Sequence, residues 1–294
     1  KKLKKKKFKN IIVKNKRELD LFDQRKVEIF LKKHKPKVVI ISAAKVGGIK
    51  ANNKFRADFI RENLQIQSNL IHGCHMNNIN NVIFLGSSCV YPKNCKLPIK
   101  EEYLLSGKLE ETNEPYAIAK IAGIKMCESY NRQYKRKYIS LMPTNTFGPG
   151  DNYNSENSHF IPAILKKIYE AKNNNKKYIN LWGTGKSKRE LIYVDDLADA
   201  IVFFMNKKTK HTLINIGTSK DYSIKQISNK IIKILNFNLK IKFNNNSKFD
   251  GVKRKVLSTK LANSYGWSPK IKFDKAIIET YKDLEKNYKK LRNV

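Results

Sequence analysis

The stretch Asn113-Glu114-Pro115-Tyr116-Ala117-Ile118-Ala119-Lys120 decides how this chain is interpreted. Proline favours the first turn of a helix, and the alanine and isoleucine residues after it continue the helix. We therefore predict a helix from residue 113 to about residue 134. Tyr116 and Lys120 are four residues apart, so on this helix they lie on one face, about one turn from each other.

This Tyr-Lys pair is suited to proton transfer. A phenol with a pKa of about 10 is a poor proton donor or acceptor at neutral pH, whereas an adjacent ammonium stabilises the phenolate and is expected to lower its pKa. A hydroxyl from elsewhere in the fold, for which we nominate Ser87, would hold a carbonyl oxygen beside the phenol. Tyr-x-x-x-Lys also occurs in ordinary amphipathic helices, so its meaning depends on the rest of the chain.

Predicted strands and helices alternate along the sequence. Short apolar runs predict strands at residues 11–13, 37–43, 81–88, 138–143 and 212–216. Apolar residues at helical spacing predict helices at residues 23–35 and 57–76. This alternation indicates an α/β fold with a Rossmann-like, doubly wound parallel sheet. Ligands of such sheets bind beyond the carboxyl ends of the strands, where Ala43, Ser87 and Pro143 fall, so we expect these residues to surround one site.

Composition narrows the class of protein. The chain has 294 residues and a net charge of +36. Its lysines are spread along the whole sequence together with asparagine and isoleucine, as a bias toward A/T-rich codons produces, and no nucleic-acid-binding motif accompanies them. No apolar run reaches the roughly 20 residues of a membrane span. The four cysteines form no Cys-x-x-Cys pair, so we expect a cytoplasmic protein without a structural metal, a nucleic-acid partner or a membrane partner.

Further segments follow one another in the order found in one enzyme family. They are Ala43-Ala44-Lys45-Val46-Gly47-Gly48-Ile49, Gly86-Ser87-Ser88-Cys89-Val90-Tyr91-Pro92, residues 113–134, Pro143-Thr144-Asn145, Gly148-Pro149, Asn157-Ser158-His159, Trp182-Gly183-Thr184-Gly185, Tyr193-Val194-Asp195-Asp196 and Gly266-Trp267. Through these segments nearly the whole chain resembles the extended short-chain dehydrogenase/reductases, and within them the GDP-L-fucose synthases. One such segment alone is unspecific, whereas the ordered set is highly specific.

The resemblance implies a two-part reaction on GDP-4-keto-6-deoxy-D-mannose. The C4 ketone makes the protons on C3 and C5 acidic, so inversion of both centres needs a base on one face and an acid on the other. The ketone then accepts a hydride from NADPH to give GDP-L-fucose. By position, Cys89 would be the base and His159 the acid, since thiols and imidazoles have pKa values of about 8.5 and 6.5 that a protein can tune toward neutrality. Ser87, Tyr116 and Lys120 would polarise the C4 oxygen.

The resemblance also implies binding residues. The cation of Lys16 would meet the 2′-phosphate of NADP. The other residues expected to contact NADP are Leu85, Gly86, Ser87, Ser88, Tyr116, Lys120, Pro143, Thr144, Asn145, Thr146 and His159. Lys167, Trp182, Arg189 and Asp250 would contact the GDP-sugar, because an aromatic ring suits guanine and a guanidinium suits a diphosphate. Lys167 stands where the family has arginine, so one bidentate phosphate contact is lost. The apolar face of residues 118–134 would also form a homodimer, as it does in this family.

We expect two domains, of which the first is incomplete. Residues 1–149 with 191–217 would form the NADP-binding domain, and residues 150–190 with 218–294 a smaller substrate-binding domain. The sequence contains no Gly-x-x-Gly-x-x-Gly turn of the kind that holds a dinucleotide pyrophosphate. We therefore interpret it as a fragment that lacks its first strand and turn, and we expect the chain as written to be poorly soluble or inactive.

Three alternatives stay open at this point. A related nucleotide-sugar epimerase or 4,6-dehydratase would share Tyr116 and Lys120, although a dehydratase would have an acidic pair where this chain has Cys89 and Val90. A basic binding protein without enzymatic activity would need no catalytic constellation, and a steep salt dependence of DNA binding would indicate it. The third alternative is a catalytically inactive fragment.

Overall fold

The computed structural model describes residues 1–154, 158–247 and 250–291 of the chain. Its helices in these ranges are α1 (Lys2–Lys5), α2 (Gln24–His34), α3 (Ile49–Lys54), α4 (Arg56–Met76), α5 (Glu114–Tyr134), α6 (Phe160–Asn173), α7 (Val194–Asn206), α8 (Ile224–Ile234), α9 (Lys260–Ser264) and α10 (Phe273–Leu291). Its strands are β1 (Val39–Ile41), β2 (Asn81–Leu85), β3 (Lys137–Pro143), β4 (Asn145–Phe147), β5 (Tyr178–Leu181), β6 (Lys188–Tyr193), β7 (Leu213–Ile216), β8 (Asp221–Ser223), β9 (Lys240–Phe243) and β10 (Arg254–Lys255).

A parallel sheet of four strands, in the order β1-β2-β3-β7, forms the centre of the fold. Side chains alternate between the two faces of a strand. Val82 and Phe84 of β2 accordingly pack with α2, α4 and α5, whereas Ile83 packs with α7 and α9. Helices therefore cover both faces, which confirms the predicted doubly wound α/β fold. We call the apolar residues on these two faces the sheet core.

A second hydrophobic core lies away from this sheet. It consists of apolar residues of α6, α8 and α10 with strands β5 and β9, including Ile168, Leu181, Ile231 and Ile277. β5 and β9 form a two-stranded parallel sheet, and β10, β6 and β4 form another small sheet to which β8 adds an antiparallel strand. None of the described helices combines the length and the apolar character needed to cross a membrane.

Most predicted elements are present, but one predicted strand is wrong. The helices predicted at residues 113–134, 23–35 and 57–76 are confirmed as α5, α2 and α4. Residues 11–13, in contrast, have no regular structure, and Ile12 and Val13 are 46% and 80% exposed. A strand needs a neighbour for its backbone hydrogen bonds. Among the described strands, the edge strand β1 pairs only with β2, so β-forming composition alone did not produce a strand at 11–13.

The fully buried carboxylate of Glu190 in β6 joins distant parts of the chain. Its Oε1 accepts hydrogen bonds from the backbone N–H groups of Thr218 and Ser219, at 2.5 and 2.7 Å. Its Oε2 accepts one from the N–H of Leu257, at 2.7 Å. A Cβ on Gly217 would lie 2.2 Å from Oε1, so the carboxylate also requires glycine there. Glu190 thus links β6 to the loop after β7 and to the segment before α9.

We expect Glu190→Ala to lower the free energy of unfolding by at least about 3 kcal/mol, because it leaves three backbone donors unsatisfied, each costing roughly 1–3 kcal/mol. Urea unfolding at pH 7 measures the change. Glu102→Ala is the matched control, since Glu102 forms an exposed ion pair with Lys100 that contributes about 0–1 kcal/mol. Equal effects of the two substitutions would show that the Glu190 contacts do not stabilise the fold.

Candidate active site

The ends of β2 and β3 meet the first turns of α5. Lys120 Nζ donates a hydrogen bond to the carbonyl oxygen of Leu85, at 2.9 Å. The Gly86 N–H donates to Leu141 O, also at 2.9 Å, and a Cβ on Gly86 would lie 2.1 Å from Met142 Cε. The end of β2 is therefore held closely between β3 and α5. This contact places residues 87–89 beside the start of α5.

Tyr116 and Lys120 lie on one face of α5, as the spacing predicts. Lys120 Nζ is 5.9 Å from the centroid of the Tyr116 ring and 4.8 Å from that of Phe84. The Tyr116 ring contacts Phe59 of α4 edge-on, at 6.3 Å between centroids. Tyr116 is half-buried and Lys120 is buried. The aromatic contacts fix the direction in which the phenol points.

The expected lowering of the Tyr116 pKa by Lys120 is wrong. Burial raises the pKa of the Tyr116 phenol, and the nearby Cys89 raises it further, while a hydrogen bond with Ser87 offsets part of the shift. The ammonium of Lys120 bonds to the Leu85 carbonyl instead, and burial lowers its own pKa to about 8. Tyr116 is therefore a neutral phenol at pH 7, able to donate a hydrogen bond to a carbonyl oxygen.

Cys89 lies in a short 3-10 turn directly after Ser87, whose hydroxyl oxygen accepts the Cys89 N–H at 3.2 Å. Two donors reach its sulfur. Asn113 Nδ2 and Lys255 Nζ are each 3.8 Å from Sγ. Both donors suit a thiolate, because an amide N–H and an ammonium stabilise negative charge on sulfur. The structure thus adds Asn113 and Lys255 to the residues expected around Cys89.

Neither Asn113 nor Lys255 was predicted to lie beside Cys89, for two different reasons. Asn113 belongs to the quoted helix motif, and its position directly before α5 was available as a signal. Lys255 was not recognisable, because it reaches Cys89 only through the parallel pairing of β10 with β6, which sets Lys255 opposite Arg189. The adjacent Arg254 is bound by Asp221, with Nε 2.6 Å from the carboxylate. Because successive side chains of a strand point to opposite faces, Lys255 points away from Asp221 and toward Cys89.

His159 stands at the N-terminus of α6 with an exposed side chain. Desolvation by the protein around the ring lowers its pKa, although the side chain keeps contact with solvent. Within the described part of the chain His159 forms no hydrogen bond or ion pair with Cys89, so the structure does not bring the two together directly. Asn157 of the quoted Asn157-Ser158-His159 segment lies outside the described residues.

The residues expected to contact NADP follow the strand ends. Ser88 and Thr144 are buried, and Pro143 is the last residue of β3. Thr144 Oγ1 and Asn145 Nδ2 both donate to the backbone oxygen of Glu190, at 3.2 and 2.9 Å. Thr146 Oγ1 donates to Thr144 O at 3.2 Å. Lys16 lies apart from this group, on an exposed turn with Nζ 5.1 Å from the Phe22 ring centroid.

The residues expected to contact the GDP-sugar come together around β6. Arg189 donates to three backbone oxygens, those of Lys188, Val252 and Asp250, at 2.6–2.8 Å. The Asp250 carboxylate accepts from the N–H and the hydroxyl of Thr184, at 2.9 and 2.7 Å. Both side chains therefore hold the shape of the loops around them.

The same region contains an exposed aromatic ring. Trp182 is 46% exposed, and Lys167 Nζ lies 5.2 Å from its ring centroid while donating to Asn180 O at 2.6 Å. Burial lowers the pKa of Lys167. An exposed indole beside a lysine is a suitable surface for a base that carries phosphate groups.

Comparison with known proteins defines the class to which this fold and site belong. The model of the NAD dependent epimerase/dehydratase family matches residues 1–217, and the chain belongs to this family. Among curated proteins it is 45% identical to a putative GDP-L-fucose synthase 2 of Arabidopsis thaliana, covering 93% of this chain and 83% of that protein. It is 43% identical to the GDP-L-fucose synthase of Escherichia coli strain K12, covering 96% of this chain and 90% of that one. The resemblance found in the sequence is thereby confirmed.

Solved structures give the same result. A GDP-6-OMe-4-keto-L-xylo-heptose reductase from C. jejuni has a TM-score of 0.89 and 35% identity, over 97% of this chain and 93% of that chain. A GDP-L-fucose synthetase from Naegleria fowleri bound to NADP has a TM-score of 0.86 and 29% identity, over 98% of this chain and 88% of that chain. These neighbours share the α/β fold with its parallel sheet.

The lowered pKa of Lys120 predicts a measurable pH dependence of stability. Its pKa is about 8 in the fold against 10.5 for an ordinary lysine, so below pH 8 the buried charge destabilises the native state. This cost disappears as the pH rises from 8 to 10.5. We expect the stability difference between the protein and Lys120→Met to change in favour of the protein by about 3 kcal/mol over that interval. Urea unfolding of both proteins across the interval measures this difference, and a constant difference would contradict the pKa.

Proposed function

We propose that this chain epimerises GDP-4-keto-6-deoxy-D-mannose at C3 and C5 and then reduces the C4 ketone with NADPH, giving GDP-L-fucose. The observation that carries the proposal is the grouping of Ser87, Cys89, Tyr116 and Lys120 at the ends of β2 and β3, in a chain 43–45% identical to GDP-L-fucose synthases. A thiol beside a carbonyl-binding hydroxyl pair is the arrangement that proton exchange next to a ketone requires.

The residues present fit NADP at its reactive end. The hydroxyls of Ser87 and Tyr116 and the buried ammonium of Lys120 are donors suited to ribose and carboxamide oxygens. Gly86 has no room for a Cβ, so at this position only the backbone can contact the cofactor. Lys16 supplies an exposed cation for a 2′-phosphate, which favours NADP over NAD. When bound, NADPH supplies the hydride for the C4 carbon.

Epimerisation begins at Cys89. Its thiolate, stabilised by the Lys255 ammonium and the Asn113 amide, removes the proton next to the ketone. The electron pair moves onto the C4 oxygen, which accepts hydrogen bonds from Ser87 and the neutral phenol of Tyr116. His159, as an imidazolium, then gives a proton to the opposite face of the same carbon while the electron pair returns from the C4 oxygen, which restores the ketone and inverts the centre. Before the second centre reacts, Cys89 loses its proton to solvent and His159 takes one up. Its lowered pKa makes the imidazolium a stronger acid.

In the reduction step Tyr116 donates its proton to the C4 oxygen as the ketone becomes an alcohol. The raised pKa of Tyr116 keeps the phenol protonated at neutral pH, so the proton is available when it is needed. The Lys120 ammonium stays bound to the Leu85 carbonyl, at 2.9 Å, and so holds the end of β2 beside the phenol. The same phenol thus serves both half-reactions, first as a hydrogen-bond donor and then as an acid.

We also propose that two parts of the chain bind different ligands. Residues 1–149 with 191–217 bind NADP, and residues 150–190 with 218–294 bind the GDP-sugar, with contacts from Lys167, Trp182, Arg189 and Asp250. The four cysteines are free thiols, which supports a cytoplasmic location. The apolar residues exposed on α4 and α5, including Met76, Ile118 and Tyr134, support a homodimer formed through these two helices.

A second candidate function is reduction at C4 without epimerisation. The similarity to a GDP-mannoheptose C4 reductase from Campylobacter jejuni, with 38% identity and a TM-score of 0.88, favours it. The two functions differ in the task of Cys89. Only epimerisation requires a base that exchanges the protons next to the ketone.

Deuterium exchange tests the assignment of Cys89. In deuterated water without NADPH, the enzyme should incorporate deuterium at C3 and C5 of the keto-sugar, as mass spectrometry and NMR detect. Cys89→Ser should slow this exchange by about 100-fold or more, the usual loss when a positioned base is removed. Tyr116→Phe is the matched comparison, because it should retain part of the exchange while abolishing NADPH oxidation. Unchanged exchange in Cys89→Ser would refute the base, and no exchange in the unmodified enzyme would favour the C4 reductase.

The proposed dimer predicts a charge-sensitive interface at α5. Ile118 is 41% exposed on α5, and Ile278 on α10 is similarly exposed, at 38%. Ile118→Glu should convert a dimer into a monomer in analytical ultracentrifugation, because burying an unpaired carboxylate is costly. Ile278→Glu should leave the dimer intact. A monomeric unmodified protein, or dimers in both variants, would refute the interface.

A further inference from the structure

A lysine of α3, a short helix that packs against α4, contacts an exposed tryptophan that directly follows β5. Lys50 of α3 places its Nζ 3.9 Å from the ring centroid of Trp182, which follows β5. Lys167 Nζ lies 5.2 Å from the same centroid. Ammonium groups within about 6 Å of an indole face are attracted to it. Two cations from different parts of the chain therefore share one exposed aromatic ring.

The position of Lys50 is fixed by packing around α3. Asn52, only 5% exposed, donates its amide N–H groups to the carbonyl oxygens of Gly47 and Gly48, at 2.7 and 3.1 Å. Ile49 Cδ1 lies 3.3 Å from where a Cβ on Gly251 would be. The helix is thus tied to its own loop on one side and touches the loop of Asp250 on the other. Lys50 is held near Trp182 by these contacts.

The ammonium groups of Lys50 and Lys167 repel each other, so the site between them favours an anion. Burial lowers the pKa of Lys167, and the charge of Lys50 lowers it further, while Glu170 acts in the opposite direction. Binding of an anion would relieve this repulsion. Because the ring of Trp182 is exposed beside both ammonium groups, a ligand with an aromatic base and a diphosphate matches the site better than a simple anion.

We infer that Lys50 binds the diphosphate of the nucleotide sugar together with Lys167, so that α3 and α6 each contribute one cation. This inference rests on the proposed function, because it takes the GDP-sugar as the ligand. Lys50 at 3.9 Å occupies a face of the indole, and a guanine base cannot stack on that face at the same time. The ammonium therefore exchanges the ring for the diphosphate when the base stacks, and Lys50 is a specificity residue for diphosphate-bearing ligands.

The test compares Lys50→Met with Lys54→Met by calorimetric titration of GDP and of guanosine. Methionine keeps the length of the side chain and removes its charge. Lys54 is on the same helix, is exposed, and has its Nζ over Phe55 at 5.2 Å, so it controls for the loss of one charge from α3. Lys50→Met should weaken GDP binding by about tenfold or more, the loss expected for one charge-assisted contact. It should not weaken guanosine binding, because guanosine has no diphosphate for the ammonium to contact, and Lys54→Met should change the binding of neither ligand.

Two results would overturn the inference. One is GDP binding by Lys50→Met that equals that of the unmodified protein, and the other is an equal loss for GDP and guanosine, which would place Lys50 at the base instead. Because GDP binding is measured without turnover, failure of the inference is separable from failure of the proposed function. A protein that binds GDP through Lys50 but does not convert the keto-sugar would refute the proposed reaction alone.

Discussion

The arrangement of the site depends on one buried carboxylate. The side chain of Glu190 accepts hydrogen bonds from three backbone N–H groups, in the loop after β7 and in the segment before α9. Its backbone oxygen accepts hydrogen bonds from the side chains of Thr144 and Asn145 at the end of β3. Burial raises its pKa and these hydrogen bonds lower it. A buried carboxylate is tolerated only when it is fully hydrogen-bonded. Strand ends that are far apart in sequence are therefore held at a fixed spacing around the candidate site.

The electrostatics of the site follow from burial more than from charge pairing. Desolvation raises the pKa of Tyr116 and lowers that of Lys120, so both groups are closer to neutrality than in water. Cys89, in contrast, has an ammonium and an amide directed at its sulfur. The site thus places a neutral phenol near a thiol whose sulfur has two hydrogen-bond donors. A neutral hydrogen-bond donor such as this phenol suits a carbonyl oxygen that becomes negatively charged during a reaction.

Sequence patterns predicted the helices and strands that local chemistry determines. They did not predict the contacts that depend on strand pairing. The helix at residues 113–134, the strand before Ser87 and the alternation of elements all follow from short-range periodicity, and the structure confirms them. Residues 11–13 have strand-forming side chains but no strand, because strand formation depends on a neighbour. Lys255 and Glu190 were missed because their roles arise from pairing β10 with β6 and from loops that meet in space. The roles given to Cys89 and His159 stay predictions, since geometry alone does not test them.

The lysines of the site and the lysines of the surface contribute differently to ligand binding. Most lysines are exposed, where solvent and salt screen them and a general excess of charge carries little specificity. Lys120, Lys255 and Lys167 are instead held by the fold against Leu85, Cys89 and Asn180. A cation held in one position interacts strongly only with an anionic group placed next to it. Several such cations therefore select a ligand whose negative charges have the matching spacing. We propose that these immobilised lysines, together with Lys50 beside the ring of Trp182, determine which ligand the site accepts.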